Sequence, residues 1–238
     1  MKIALLGYGK MGKEIEKIAL LRNHTISLVI DINNSRELTV ENLQKSDVAI
    51  DFSTPSSAAE NILKCFEAGV PIVCGTTGWM EKTDEIRNKC RAMNQALFFS
   101  SNFSIGVNIF FAVNRYLAKV MNSFEEYNVD MKEIHHIHKL DAPSGTAITL
   151  AGDIISCSNR KQKWELNAVS EGEVIGIKAE REGEVPGTHF VKWDSPVDSI
   201  EICHMAKNRK GFAFGAVLAA EFIKDKKGIY SMQDLLKL

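Results

Sequence analysis

Apolar residues in the first hundred positions come in short unbroken runs, separated by stretches in which they recur every three or four residues. The runs are "KIALLG", "TISLVIDI", "VAIDFS", "PIVCGTTG" and "ALFFSSN". Continuous apolar character over so few residues predicts strands covered on both faces. Between the first two runs, Met11, Ile15, Ile18 and Ala19 stand at helical spacing. Between the third and fourth, Ala58, Ala59, Ile62, Leu63 and Phe66 do the same, with Gly69 as a stop signal. The more polar "EKTDEIRNKCRAMN" fills the last gap. Strand and helix in alternation predict a parallel sheet with helices on both sides.

The rhythm changes near residue 104. "SIGVNIFFAVNRYLAKVMNSF" predicts one long apolar helix, "YNVDMKEIHH" a strand and "TAITLAGDIISC" a helix. "GEVIGIKAERE", "THFVKWDS" and "SIEICHMA" then follow as successive strands. Strands in succession, with Gly, Pro and Asp between them, favour a mixed or antiparallel sheet. The tail "GFAFGAVLAAEFIKDKKGIYSMQDLL" reads as helical and as returning to the first domain. The chain is therefore expected to be α/β. An amino-terminal Rossmann-type dinucleotide-binding domain takes 1–106 plus 210–238, and a second α+β domain built on a mixed sheet takes 107–209.

Composition narrows the function. A formal net charge of −1 over 238 residues gives no basic excess for nucleic acid. No apolar stretch approaches the roughly twenty residues of a membrane span, and the amino terminus does not read as a signal peptide, so a cytoplasmic protein is expected. The five cysteines are scattered and never form a C-x-x-C pair, which indicates neither a disulfide framework nor a zinc site.

Gly7, Gly9 and Gly12 spell G-x-G-x-x-G between a predicted strand and helix, and Asp31 ends the second strand. In a dinucleotide site such glycines permit a tight turn, close approach of a pyrophosphate and close helix–strand packing. The acid accepts from the adenosine ribose. "GTTG" (75–78) and "SSNFS" (100–104) follow the fourth and fifth strands. They lie at the carboxyl ends where open α/β sheets bind ligands.

The segment "EIHHIHKLDAPSGTA" (133–147) holds half of the six histidines. Three readings compete. If the segment is extended, His136 and His138 share a face and His135 points away, so a metal would gain only two neighbouring ligands. A structural reading leaves the histidines satisfied in a core or on a strand edge. The third reading uses every residue: His135 and Lys139 supply protons, and Ser144-Gly145-Thr146 opens a helix whose N–H groups hold a carboxylate.

The same fifteen residues closely resemble the E-x-H-H-x-x-K-x-D-A-P-S-G-T-A signature of the dihydrodipicolinate reductases, which act in the diaminopimelate route to lysine. The similarity continues through "DFSTP" (51–55), "GTTGW" (75–79), "NFSIGVN" (102–108), "REGEVPGTH" (181–189) and "FAFGAV" (212–217). It implies NAD(P)H-dependent reduction of 4-hydroxy-tetrahydrodipicolinate, with His135 as acid/base residue and Lys139 as proton donor. His136 lines the substrate pocket, and Gly145 with Thr146 binds a substrate carboxylate. It implies dinucleotide contacts from the glycine turn (Gly7, Tyr8, Gly9, Lys10, Met11, Gly12), from Asp31, from Gly75, Thr76 and Thr77, and from Ser100, Ser101, Asn102 and Phe103. It further implies NADH and NADPH as cofactors, no metal, a small dicarboxylate substrate and a homotetramer joined through the second domain's sheet. Many relatives carry a longer glycine loop, G-x-G-G-R-M-G, where this chain has "GYGKMG"; the shorter loop keeps ordinary dinucleotide spacing, and the resemblance does not carry the exact phosphate contacts over. "NRKQKWELNAVSEGEV" (159–174) matches poorly and reads as a surface segment.

Two other functions share parts of this pattern. A dinucleotide sensor would need no proton donor beside an anion site. Another two-domain dehydrogenase would share the glycine turn but not the histidine segment.

Overall fold

The computed structural model describes residues 1–238. The chain divides into two compact units, Met1–Ile105 with Arg209–Leu238, and Gly106–Asn208. In chain order the first unit begins β1 (Lys2–Leu6), α1 (Lys10–Leu21), β2 (Thr25–Ile30), α2 (Val40–Leu43), β3 (Val48–Asp51) and α3 (Pro55–Ala68). It continues with β4 (Ile72–Cys74), α4 (Thr83–Ala92) and β5 (Ala96–Phe99). Helix α5 (Ile105–Met121) leads into the second unit. That unit holds β6 (Asn128–His135), α6 (Gly145–Cys157), β7 (Lys163–Leu166), β8 (Val174–Arg181), β9 (Thr188–Asp194) and β10 (Ser199–Met205). The chain then returns as α7 (Lys210–Ile223), β11 (Gly228–Tyr230) and α8 (Met232–Leu236).

In the first unit all six strands run parallel in the order β11-β5-β4-β3-β1-β2. Residues on the two faces of its strands enter different cores. Ala4, Leu6, Ala49 and Ile72 pack with Ile62 and Phe66 of α3, while Ile3, Leu5, Ile50 and Phe98 pack with Ile15 of α1 and the alanine-rich face of α7. Burial on both sides explains why these strands read as unbroken apolar runs.

The tail corrects the expectation of a helical end. Only 210–223 and 232–236 are helical, and Gly228–Tyr230 adds a sixth strand beside β5. Three residues are too few for strand periodicity to stand out, and pairing with β5 supplies the hydrogen bonds that local propensity does not.

The second unit carries a mixed five-stranded sheet, β10-β9-β6-β8-β7, antiparallel from β10 to β6 and parallel from β6 to β7. One face packs on α5 and α6 around Trp193, Leu150, Ile154 and Ile177. The segment 159–174 is mostly exposed, as expected of a surface segment, and contributes the edge strand β7. Lys161 is buried there, its ammonium donating to the carbonyls of Gly172 and Val174 at 2.8 and 3.0 Å.

Candidate active site

Each unit brings part of the expected chemistry together. In the first, β1 ends and the chain turns at Gly7, where φ is +94° and a Cβ would lie 2.3 Å from the Phe52 carbonyl oxygen. At Gly12 a Cβ would meet the Gly7 carbonyl oxygen at 2.3 Å. Both positions therefore require glycine for close packing. Gly9 differs, since a Cβ there would meet nothing within 4 Å. Gly9 caps α1 with no side-chain hydrogen bond to the first turn. A helix start with uncapped N–H groups beside open space is what a pyrophosphate requires, so these residues fit a dinucleotide.

Gly9, Lys10 and Met11 share a cleft of about 390 Å³ with Phe52, Ser53, Pro55, Gly75, Thr76 and Thr77. Asp31 follows β2 in a tight turn, with its Oδ1 accepting the Asn33 N–H at 2.7 Å and its own N–H donating to Asn34 Oδ1 at 2.7 Å. Ser100 and Asn102 brace the turn after β5, where the Ser100 hydroxyl donates to the Asn102 carbonyl at 2.8 Å. The Phe103 ring lies in the core against Phe52 and Phe98, so this residue can offer a ligand its backbone only. The Tyr8 hydroxyl donates to Glu16.

In the second unit β6 stops at His135, one residue short of the predicted strand, and a turn follows in which the Lys139 N–H donates to the His136 carbonyl. The condition of an extended segment is not met beyond His135, although the His136 and His138 rings still neighbour each other at 6.2 Å. His135 is buried, His136 half-buried and His138 exposed. The residues that converge are instead Glu133 and His135, two apart on β6, with His189 from β9, whose register sets it opposite Glu133. Glu133 is fully buried; its Oε2 lies 3.7 Å from His135 Nδ1 and 3.6 Å from His189 Nε2. The two imidazoles meet edge to face at 5.1 Å.

Burial works against the charge of Glu133, but the close imidazole of His189 and hydrogen bonding from Ser144 outweigh it and hold the carboxyl down at about 2. Burial pushes His135 the other way. Desolvation, opposed by Glu133 and reinforced by His189, Lys139 and Arg181, lowers the imidazole to about 4, so it is neutral near pH 7.

Three potential ligand atoms from Glu133, His135 and His189 lie within 4.8 Å of one another, so a three-residue cluster exists where sequence reasoning found convergence of only two. Its surroundings favour hydrogen bonding over cation binding. Arg181 brings its guanidinium to 3.6 Å from Glu133 Oε1, and both Glu133 oxygens accept the Ser144 N–H.

Ser144 caps α6 by accepting the Ala147 N–H, which leaves the N–H groups of Gly145 and Thr146 without an intrahelical acceptor. Space beside Gly145 is open. Lys139 rests its ammonium on both oxygens of Asp141 at 2.7 and 2.8 Å, and Arg181 holds that loop by donating to the carbonyls of Lys139 and Asp141. Glu133, Arg181 and His189 were missed as site residues. Strand periodicity could have found Glu133, on the face of His135, but His189 depends on sheet register.

Comparisons with known proteins identify the family. The family model described as "Dihydrodipicolinate reductase, N-terminus" matches residues 1–103, and that described as "Dihydrodipicolinate reductase, C-terminus" matches residues 106–236. The chain is 50% identical over 236 residues to 4-hydroxy-tetrahydrodipicolinate reductase from Christiangramia forsetii, covering 99% of this chain and 98% of that protein. It is 36% identical over 247 residues to the enzyme of the same name from Methanosarcina acetivorans, covering 99% and 89%. Among solved structures, a dipicolinate-bound dihydrodipicolinate reductase from Paenisporosarcina sp. TG-14 shares the fold with a TM-score of 0.79 at 22% identity, over 98% of both chains.

Proposed function

The chain belongs to the dihydrodipicolinate reductase family, and from that premise we infer that it reduces 4-hydroxy-tetrahydrodipicolinate to tetrahydrodipicolinate for lysine biosynthesis. The observation that carries the reading is the gathering, in one unit, of an ammonium at Lys139, a neutral imidazole at His135 and an open helix start at Gly145 and Thr146. The substrate is a small cyclic dicarboxylate, and it needs an anion site and a proton donor side by side.

A substrate carboxylate accepts from the N–H groups of Gly145 and Thr146, favoured by the positive end of the α6 dipole. His136, half-buried at the end of β6, lines the same pocket. In the balanced reaction a hydride and a proton are taken up and one water is released. A reduced nicotinamide cofactor, when bound, supplies the hydride. Lys139 supplies the proton as ammonium, exchanging its Asp141 partner for the substrate. His135 is a neutral imidazole near pH 7, with no imidazolium proton to give, so it acts as the assisting acid/base group rather than as the main donor.

In the first unit the turn Gly7-Tyr8-Gly9-Lys10-Met11-Gly12 would hold the pyrophosphate, Asp31 the adenosine ribose, and Gly75, Thr76, Thr77, Ser100, Ser101, Asn102 and Phe103 the nicotinamide end. Both NADH and NADPH serve, with NADH preferred. The outer face of the mixed sheet carries a hollow of about 510 Å³ lined by groups of both signs, including Lys132, Lys178, Lys192 and Glu201. That face supports a homotetramer joined sheet to sheet, working in the cytoplasm; no helix is long and apolar enough to cross a membrane.

Oxidation of NADH and NADPH in the presence of freshly generated substrate tests the activity directly. Turnover with either supports the reading, and turnover with neither overturns it. A light-scattering mass equal to one chain would overturn the tetramer alone.

A further inference from the structure

Asp51 ends β3 with no exposed surface, and three residues donate hydrogen bonds to its carboxylate. The Thr76 hydroxyl approaches at 2.5 Å and the Asn61 amide at 2.6 Å, while Ser53 offers its N–H at 3.2 Å and its hydroxyl at 2.9 and 3.0 Å. The Thr76 Oγ1 also accepts the Ser53 N–H at 2.9 Å, so its one hydrogen is committed to Asp51. The Ser53 Oγ likewise accepts from Ser57 and Asn61. A carboxylate, an acceptor only, satisfies this arrangement.

Asn61 donates from α3, whereas Ser53 and Thr76 come from two loops that line the 390 Å³ cleft beside the glycine turn, Phe52–Ser53 after β3 and Gly75–Thr77 after β4. The Asp51 backbone joins them as well, because its carbonyl accepts the Gly75 N–H at 2.9 Å. The Thr76 carbonyl in turn accepts from the Trp79 indole at 2.7 Å. Resting on the cofactor reading above, we propose that Asp51 is a positioning residue for the nicotinamide cofactor: it ties the loop after β3 to the loop after β4 and so fixes the width of the cleft. It acts through Ser53 and Thr76 and itself lies beneath the cleft wall, since neither Asp51 nor Asn61 lines it.

That placement gives a test that direct contact cannot imitate. NADH affinity is measured without turnover, by fluorescence titration of the full-length protein. Asp51→Asn puts two amide hydrogens among the three residues that donate to the carboxylate, and it is expected to weaken NADH about tenfold, as for loss of a charged hydrogen-bond acceptor. Asn61→Ala, which removes one donor and leaves the other three, is expected to weaken it about threefold. Exchange of the pair, Asp51→Asn with Asn61→Asp, is expected to recover most of the loss. In all three variants the affinity for pyridine-2,6-dicarboxylate in the absence of cofactor stays within about twofold of the parent, because that ligand's groups lie in the other unit. NADH affinity unchanged in Asn61→Ala, whatever its melting temperature, would reduce Asp51 to a structural role and overturn the inference, including where Asp51→Asn itself fails to fold. A parent that binds neither NADH nor NADPH would overturn the cofactor reading, and this inference with it.

Discussion

Both carboxylate oxygens of Glu133 accept the backbone N–H of Ser144, at 3.1 and 3.0 Å. Glu133 lies two residues before His135 on β6, and Ser144 caps the helix that starts at Gly145. One buried carboxylate therefore anchors the strand end that carries the acid/base imidazole and the helix start that would hold the substrate's carboxylate. The separation between those two groups is set at Glu133.

Replacing Glu133 with Gln keeps its size but removes its charge and gives two hydrogens to a corner that already holds Arg181, His189 and the Ser144 N–H. The helix start then shifts relative to His135. Misplacement of about 1 Å can cost on the order of 10²-fold in rate, so kcat/KM for the dicarboxylate should fall by about that factor. NADH affinity should not change, because its groups lie in the other unit. Steady-state kinetics paired with NADH titration checks both halves of this expectation.

Lys139→Ala should lower kcat on the order of 10²-fold or more while NADH still binds, since a positioned proton donor typically contributes that much. Lys139→Arg should not rescue it. Arginine keeps the positive charge and can pair with Asp141, but it does not release a proton at any working pH. His135→Ala should lose less than Lys139→Ala. Single-turnover rates of the three variants rank the two groups, and full activity in Lys139→Ala would remove the lysine from the mechanism.

The parallel sheet and its glycine turn were legible because their signals are local: unbroken apolar runs, helical spacing after each, and glycines at fixed offsets. The histidine segment was legible as chemistry but not as geometry. An extended reading placed His136 with His138, whereas the strand stops at His135 and the partners of His135 arrive from its own strand and from β9. His189 could be placed only by the antiparallel register of β6 and β9, which no local pattern encodes. The strand Gly228–Tyr230 was hidden for the same reason, since its place beside β5 is a long-range pairing.

Acid should affect both stability and the state of the site. Glu133, at about 2, lies below an ordinary glutamate near 4.5. Its contribution is full above about 4.5 and is lost as pH falls through 2. His135, at about 4, lies below an ordinary histidine near 6.5, so its contribution is full above about 6.5 and is lost as pH falls through 4. Stability should therefore decline from about pH 6 downward, with His135 responding before Glu133. Denaturant titrations across that range measure the decline. Proton-resolved NMR of the imidazole should show no His135 titration between pH 5.5 and 8, and a midpoint near 6.5 would contradict the burial argument.

Pyridine-2,6-dicarboxylate, a flat mimic of the substrate's two carboxylates, should compete with substrate at the N–H groups of Gly145 and Thr146. Thr146→Val keeps the backbone N–H and removes only the hydroxyl, so affinity should fall about tenfold or less, as for one hydrogen bond to a charged group. Inhibition independent of substrate concentration would argue against this placement.

Cofactor choice turns on Asp31. Its turn is fixed by the Asn33 N–H on Oδ1 and by Asn34, whose side chain also donates to the Val29 carbonyl at 2.8 Å and to Glu37 at 3.3 Å. A carboxylate held there can accept from both ribose hydroxyls of NADH, and Glu37 places a second negative charge on the same loop. A 2′-phosphate would meet both charges and lose the hydroxyl's hydrogen bond, while Lys10 in the glycine turn offsets part of that repulsion. The parent should therefore prefer NADH modestly and still use NADPH, and Asp31→Ala should move the preference toward NADPH. Measuring kcat/KM for both cofactors at one substrate concentration, in the parent and in Asp31→Ala, decides the matter. A parent that favours NADPH tenfold would mean that Lys10 or Arg36 governs the pocket, and that the Asp31 carboxylate is a turn former with no part in selecting the cofactor.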